Sequence, residues 1–277
     1  MTEPLPMTAA RRVFLAAGTP IALLIIGWIS LTGIAWVAQG SYRVNLAIPV
    51  SGRAVSVAVD SGQLSLGTGA AGTLLVTGTA HYALARSAVT WRSSPAGVSV
   101  SSRCRQLTGP CSFTYAVAVP AGSITGVDDS SGDVTARGLA GRLTVQAGSG
   151  DVRVSALSGD VRISDDSGDV SGSSLTSPEL TISAGSGNVA LTGLASPDVT
   201  VASQSGDTML RFARVPARVQ VSNDSGDVTL VLPPGGTAYR VVARSTDGNT
   251  AVRVPTNPSS PHVITVTDQS GDITITR

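Results

Sequence analysis

One short phrase, Ser-Gly-Asp-Val or a close variant of it, returns throughout the second half of the chain. Its copies begin at Ser131, Ser149, Ser158, Ser167, Ser186, Ser205, Ser225 and Ser270. The main copies are separated by 18, 18, 19, 19 and 20 residues, and the last gap of 45 residues leaves room for a degenerate copy at Asp247-Gly248-Asn249. A fixed period near twenty residues is typical of architectures built from stacked repeats.

Apolar residues occupy fixed positions around the serine of each copy. They lie six and four positions before it, as Leu180 and Ile182 do, and three and five positions after it, as Val189 and Leu191 do. Alternation with a period of two predicts half-buried strands. Because one such unit cannot bury its own apolar stripe, the copies must stack. The sequence therefore predicts an all-β fold, a parallel β-solenoid of about eight rungs of roughly 18–23 residues each.

The third residue of the phrase predicts a row of side chains at one corner of the solenoid. Gly adopts backbone angles that are closed to other residues, and Asp or Asn holds a tight turn by bonding to neighbouring amides. Stacking would place the corner residues about 4.8 Å apart. The predicted row is Asp133, Asp151, Asp169, Asn188, Asp207, Asp227 and Asp272.

An uncharged stretch near the amino terminus is long enough to cross a bilayer as a helix. We predict a single-pass membrane protein with a cytoplasmic tail (1–12), a transmembrane helix (13–38) and an extracytoplasmic remainder, because Arg11 and Arg12 precede the stretch. A cleaved export signal is the alternative, and the paired arginines resemble a twin-arginine signal. The apolar run is longer than such signals usually have. Both interpretations place the β domain outside the cytoplasm.

Residues 39–122 are predicted to be a linker and an irregular N-terminal β cap for the solenoid of residues 123–277. Val55–Leu66 repeats the apolar spacing around Ser61, so the stack is expected to begin within this region. Further strands are expected at 73–79, 88–92, 97–102 and 112–119.

Two cysteines, Cys104 and Cys111, flank a turn signal in this cap. Outside the cell, two cysteines across such a turn predict a structural disulfide that closes a hairpin. A redox-active pair is the alternative, but the spacing is not Cys-x-x-Cys.

Composition and motifs argue against several classes of function. A net charge of +1, scattered arginines and 4% aromatic residues give no basis for binding nucleic acid. The chain has only two histidines, and it has no nucleophile motif and no phosphate-binding loop motif. We therefore expect neither an enzyme activity nor a cofactor. Calcium is the chemical alternative, and the acidic residues to test are Asp128, Asp129, Asp165, Asp166 and Asp169. A polysaccharide-cleaving β-helix is the enzyme alternative.

The repeated Ser-Gly-Asp-Val phrases between short strands, with Val117–Gly122 and Gly138–Gly141, resemble the bacterial "putative adhesin" family of domains of unknown function. The resemblance covers roughly Val44–Arg277. It implies a membrane-attached surface β-solenoid and, in some relatives, a link to cell-envelope stress signalling. It supplies no catalytic residues.

These observations predict a non-enzymatic, membrane-anchored surface protein that acts as an adhesin-like binding or scaffold module. Its binding face would consist of outward residues of the solenoid: Arg153, Arg162, Thr181, Thr200, Gln220 and Thr265. The alternative is an accessory or sensor subunit of an envelope-stress response that acts through a membrane partner. The expected partner is an unidentified protein or envelope component, and an open solenoid edge would also allow self-association.

Overall fold

The computed structural model describes residues 9–83, 86–104 and 109–277. Most of the predicted cytoplasmic tail, and the residues between Cys104 and Gly109, lie outside the described residues. Strands make up most of the described chain after residue 38. The predicted all-β class is therefore confirmed.

One helix, α1 (Ala9–Val37), precedes the β structure and contains Pro20. Among the described residues, no helix combines the length and the apolar character that crossing a membrane requires. The transmembrane helix predicted for residues 13–38 is therefore not confirmed, and membrane anchoring stays a prediction.

Antiparallel pairs form the cap that follows α1. The strands of this region are β1 (Gln39–Pro49), β2 (Ala54–Gly69), β3 (Thr73–Ala83), β4 (Ala88–Ser94), β5 (Gly97–Arg103) and β6 (Ser112–Pro120). β1 pairs with β3, β3 pairs with β6, and β4 pairs with β5, all antiparallel. β2 pairs in parallel with both β5 and β6, and so joins the cap to the stack. The four strands predicted between residues 73 and 119 are confirmed.

β2 and the strands that follow β6 form the rungs of the stack. Each rung consists of one long strand or of two short strands that meet at the corner phrase. The later strands are β7 (Ile124–Arg137), β8 (Leu143–Ser149), β9 (Val152–Ser155), β10 (Val161–Ser167), β11 (Val170–Ser173), β12 (Glu179–Ser186), β13 (Val189–Leu194), β14 (Asp198–Ser205), β15 (Thr208–Phe212), β16 (Arg218–Ser225), β17 (Val228–Val231), β18 (Arg240–Asp247), β19 (Thr250–Val252), β20 (Val263–Ser270) and β21 (Ile273–Thr276). β2 pairs in parallel with β7, which confirms that stacking begins early. Ile163 pairs with Val145 on one side and with Ile182 on the other, so like residues lie beside like.

The aliphatic columns point inward and form one continuous core. Leu180, Ile182, Val189 and Leu191, which represent the four predicted positions, are 0–1% exposed. Burying each such side chain stabilises the fold by roughly 1.5–3 kcal/mol relative to leaving it in water. A third, short side closes the rung, and its backbone also bonds between rungs, as from Thr176 N–H to the carbonyl of Leu157 at 2.9 Å.

The last two rungs are stacked in the reverse of their sequence order. β20 lies between β16 and β18, and β21 lies between β17 and β19. The degenerate copy at Asp247-Gly248-Asn249 therefore lies at the end of the stack and not between its sequence neighbours. Ile273–Thr276, the last strand in the sequence, is covered by β19.

The hydrophobic effect explains this reversal. Ile264, Val266, Ile273 and Ile275 are completely buried in the inner position. The end rung has smaller or half-buried residues at the matching positions, such as Val241 and Ala243. Placing the more apolar rung inside buries more apolar surface. The exposed arginines of the end rung, Arg240 and Arg244, are typical of protected sheet edges.

Candidate functional site

The third residue of each corner has a side chain that connects two rungs. Its Oδ1 atom accepts a hydrogen bond, 2.7–3.1 Å long, from the backbone N–H of the matching residue in the next rung. The series runs through Asp133, Asp151, Asp169, Asn188, Asp207, Asp227, Asp272 and Asn249. These side chains thus bond between turns, which corrects the expectation that each one holds its own turn.

The backbone of the corner explains why a side chain is needed there. Gly150 and Val152 donate their N–H groups to carbonyls of the following rung. The N–H of Asp151, between them, faces the preceding rung and finds its acceptor in Asp133 Oδ1 at 3.0 Å. Arg153 lies beside this row, with Nη2 2.6 Å from Asp151 Oδ2. The structure therefore gives the row a role in holding the rungs together.

The corner glycines lie so close to each other that no side chain fits. Gly187 has a φ of +125°, and a Cβ added to it would overlap the carbonyl oxygen of Gly168 in the preceding rung. Both the backbone angle and the close approach therefore require glycine at this position.

A second column, two positions before each corner serine, points into the core and is polar at five of its seven positions. Register aligns Asp129, Ala147, Asp165, Ala184, Ser203, Asn223 and Asp268. Asp129 and Asp165 are 2% exposed and Asp268 is 3% exposed. The sequence suggested one acidic patch, but the structure separates buried Asp129 and Asp165 from their exposed neighbours Asp128 and Asp166. Strand alternation was the signal that could have revealed this column.

Burial raises the pKa of the buried carboxyl groups in this column. The pKa of both Asp129 and Asp165 rises to about 6, chiefly because burial removes water from the charged form. Nearby acids add to the rise, such as Asp166 for Asp165, while the backbone N–H of Ser131 opposes it for Asp129. Among the described residues, neither carboxyl group has a well-aligned hydrogen-bond partner.

Asn223, a neutral amide in the same column, shows that an uncharged hydrogen-bond donor fits this inward position. Asn223 Nδ2 donates to the carbonyl of Gly226 at 2.7 Å and lies 3.4 Å from Asp268 Oδ1. A protonated carboxyl or an amide at the aspartate positions could make the equivalent bond to its own corner glycine. The column therefore favours uncharged groups.

The outward residues of the first strand of each rung form an aligned row, which we call the outer face. Its polar members are Thr144, Arg162, Thr181, Thr200, Gln220 and Thr265, and the row ends at Val242 of β18, which is 40% exposed. Five of the six residues predicted for the binding face lie here. Arg153 does not, because it lies on β9 between Thr135 and Ser171.

Charged pairs lie at one end of the outer face. Arg142 Nη2 is 3.0 Å from Asp160 Oδ2, and Arg162 Nη2 is 3.8 Å from Glu179 Oε1. These four residues line a cavity of about 260 Å³. The exposed pairs contribute little stability, roughly 0–1 kcal/mol each, so they are available to a ligand at low cost.

The predicted disulfide between Cys104 and Cys111 is present. It lies against the first rung: the hydroxyl of Ser61 donates to the carbonyl of Cys111 at 2.8 Å, and the N–H of Cys104 donates to Asp60 Oδ2 at 2.9 Å. The disulfide joins the end of β5 to the start of β6, which lie end to end along β2, so the hairpin predicted between the two cysteines is not formed.

Neither histidine lies in a site that could bind a metal. His81 is exposed on β3, while His262 is half-buried with Nδ1 2.8 Å from the carbonyl of Pro216. In the described parts of the chain, no three or more His, Cys, Asp or Glu side chains are grouped so as to hold a metal ion.

Comparison with known proteins gives one family and one structural likeness. No curated protein matches the chain. Among solved structures, it is similar to one described as a "putative cell adhesion protein" from Clostridium sporogenes ATCC 15579, with 8% identity and a TM-score of 0.31 over 85% of this chain and 99% of that one. The Toastrack DUF4097 family model matches residues 114–276, more than half of the chain and all rungs after β2. This chain therefore belongs to the Toastrack DUF4097 family.

Proposed function

We propose that this protein is a non-enzymatic, surface-exposed binding module, attached to the cell membrane by α1 and adhesin-like in its use of the outer face. The observation that carries the proposal is the continuous, in-register outer face on a stack whose rungs are hydrogen-bonded to their neighbours. A surface built on such a rigid scaffold loses little conformational entropy when it binds a partner.

The exposed apolar side chains of α1 support attachment to a membrane. Its described large apolar residues are 54–88% exposed: Ile21, Leu23, Leu24, Ile25, Ile26, Trp28, Ile29, Ile34 and Val37. A helix that is apolar on all sides needs an apolar environment around it. Lipid would supply that environment, and Arg11 and Arg12 would keep the amino terminus on the cytoplasmic side.

The polar character of the outer face supports a polar envelope component as the partner. Its threonine and glutamine side chains donate and accept hydrogen bonds, and Arg162 adds a fixed set of donors. The neighbouring cavity is lined mainly by polar side chains and, at about 260 Å³, is smaller than most pockets that enclose a small substrate, which suits surface recognition better.

The absence of lysine from the chain allows a sharp test. Thr200→Lys would place one reactive amine on the outer face, and Met209→Lys would place one on the other strand of the same rung, where Met209 is 44% exposed. With a membrane-impermeant amine reagent, we expect both variants to be labelled in intact cells. We also expect Thr200→Lys to be labelled several-fold more slowly in cells than after purification, while the Met209→Lys rate changes little.

A cytoplasmic control is Thr2→Lys, which should be labelled only after cell lysis. If neither solenoid variant is labelled in intact cells, the surface location is wrong. If both are labelled at the same rate in cells and after purification, the outer face is not the surface that the partner covers.

A further inference from the structure

Charge is strongly segregated along this nearly neutral chain. The cap, residues 39–122, has six arginines and one acidic residue, Asp60. The rest of the stack, residues 123–277, has eleven arginines and sixteen acidic residues. The end of the β domain that is joined to α1 is therefore basic, while the remainder is acidic.

Three of the cap arginines lie near the point where the chain leaves α1. Gln39 pairs with Ala83, and the Arg86 guanidinium lies 4.3 Å from the centre of the Tyr42 ring. The Tyr42 hydroxyl donates to the carbonyl of Ser87 at 3.0 Å. Ala88, the next residue, pairs with Arg103. The start of β1 and the base of the β4–β5 hairpin are thus held together.

We define the basic collar as Arg43, Arg86 and Arg103 with the paired rings of Tyr42 and Tyr82, whose centres are 6.1 Å apart. All three arginines are exposed. Within the described residues, none of the three forms an ion pair. The one acidic residue of the cap, Asp60, is already engaged by the N–H of Cys104.

We propose that the basic collar docks on anionic phospholipid headgroups of the membrane that α1 enters. This inference rests on the proposed attachment through α1. Guanidinium groups bind phosphate through paired hydrogen bonds, and tyrosine rings favour the interface between lipid and water. An anionic lipid surface attracts basic residues next to a membrane segment and repels acidic ones.

Docking would set the direction in which the solenoid points. The collar is attracted to the headgroups, while the acidic stack is repelled, and both forces act within a screening length of about 8–10 Å. The rungs from β7 onward would therefore project away from the membrane, with the β18–β19 end outermost. The outer face would then be held clear of the lipid.

The test uses the full chain in lipid nanodiscs, either of phosphatidylcholine alone or with about one-third phosphatidylglycerol. Hydrogen exchange is followed by mass spectrometry in peptides that cover residues 80–104. We expect exchange in β4 to be about tenfold slower in the anionic discs, and the difference to disappear at roughly 0.5 M salt.

The collar variant is Arg43→Gln/Arg86→Gln/Arg103→Gln, which should lose this protection. A matched variant removes three exposed arginines of the stack, Arg211→Gln/Arg218→Gln/Arg240→Gln, and should keep it. Unchanged exchange at the solenoid corners would show that both variants are folded. Failure of the chain to enter either disc would overturn the attachment itself. If the chain enters both discs but its exchange is the same in both, or if the collar variant keeps the protection, the collar does not dock.

Discussion

Replacing Asp165 with asparagine is expected to raise the free energy of unfolding at pH 7.5 by about 2–3 kcal/mol. At this pH the wild-type carboxyl group is charged, although it is 2% exposed and its pKa is raised to about 6. The amide removes the buried charge. It also places a donor where it can bond to the carbonyl of Gly168, as Asn223 does with Gly226.

The same group predicts that the wild-type protein becomes more stable on mild acidification. Its pKa is higher in the folded protein than the ordinary value of 3.8. The stability that it contributes is therefore fully present below pH 3.8 and is lost as the pH rises through about 6. Asp129 acts in the same direction. Asp165→Asn should gain less on going from pH 7.5 to pH 4.5, so that the two proteins converge.

Denaturant unfolding at both pH values, followed by circular dichroism, measures this effect. Asp198→Asn is the matched control, because Asp198 is an exposed carboxylate and is not one of the charges that raise the pKa of Asp165. It should change stability by no more than about 0.5 kcal/mol. A destabilised Asp165→Asn variant at pH 7.5, or one with an unchanged pH dependence, would contradict the buried position of this carboxyl group.

Gly187→Ala is expected to destabilise the protein by about 2–6 kcal/mol. The alanine would have to adopt a φ near +125°, and its methyl group would overlap the carbonyl oxygen of Gly168. Relief of that overlap requires the rungs of Gly168 and Gly187 to separate, which weakens the hydrogen bond between the Gly168 N–H and the carbonyl of Ser186. Thermal and denaturant unfolding measure the loss.

Gly67→Ala controls for the substitution itself. Gly67 lies in β2, and a Cβ there meets nothing within 4 Å. We expect this variant to stay within about 0.5 kcal/mol of the wild type. Equal stability of the two variants would mean that the corner glycines do not stack as described.

Much of the fold could be predicted because its sequence signal is repeated. The aliphatic columns, such as Ile163 beside Ile182, follow from period-two alternation and a common register. The disulfide followed from cysteine spacing. The partner of each corner aspartate could not be predicted, because a turn sequence does not show whether a side chain bonds within its turn or to the next rung.

The buried acids and the order of the last rungs were missed for different reasons. The alternation of the strands places Asp129 and Asp165 at inward positions, but their charge suggested an exposed patch. In the structure both side chains are buried, as the alternation indicates. The 45-residue gap fixed how many repeats fit and not how they stack. That order depends on which rung buries more apolar surface, as a comparison of Ile264 with Val241 shows.

Cysteine cross-linking tests the rung stacking most directly. Ser222 on β16 pairs with Thr267 on β20, which in turn pairs with Arg244 on β18, and all three side chains are exposed. Neighbouring rungs are about 4.8 Å apart and alternate rungs about 9.6 Å, whereas a disulfide needs Cα atoms within about 7 Å. The structure predicts that Ser222→Cys/Thr267→Cys forms a disulfide on mild oxidation and that Ser222→Cys/Arg244→Cys does not. The opposite result would contradict the stack as it is described.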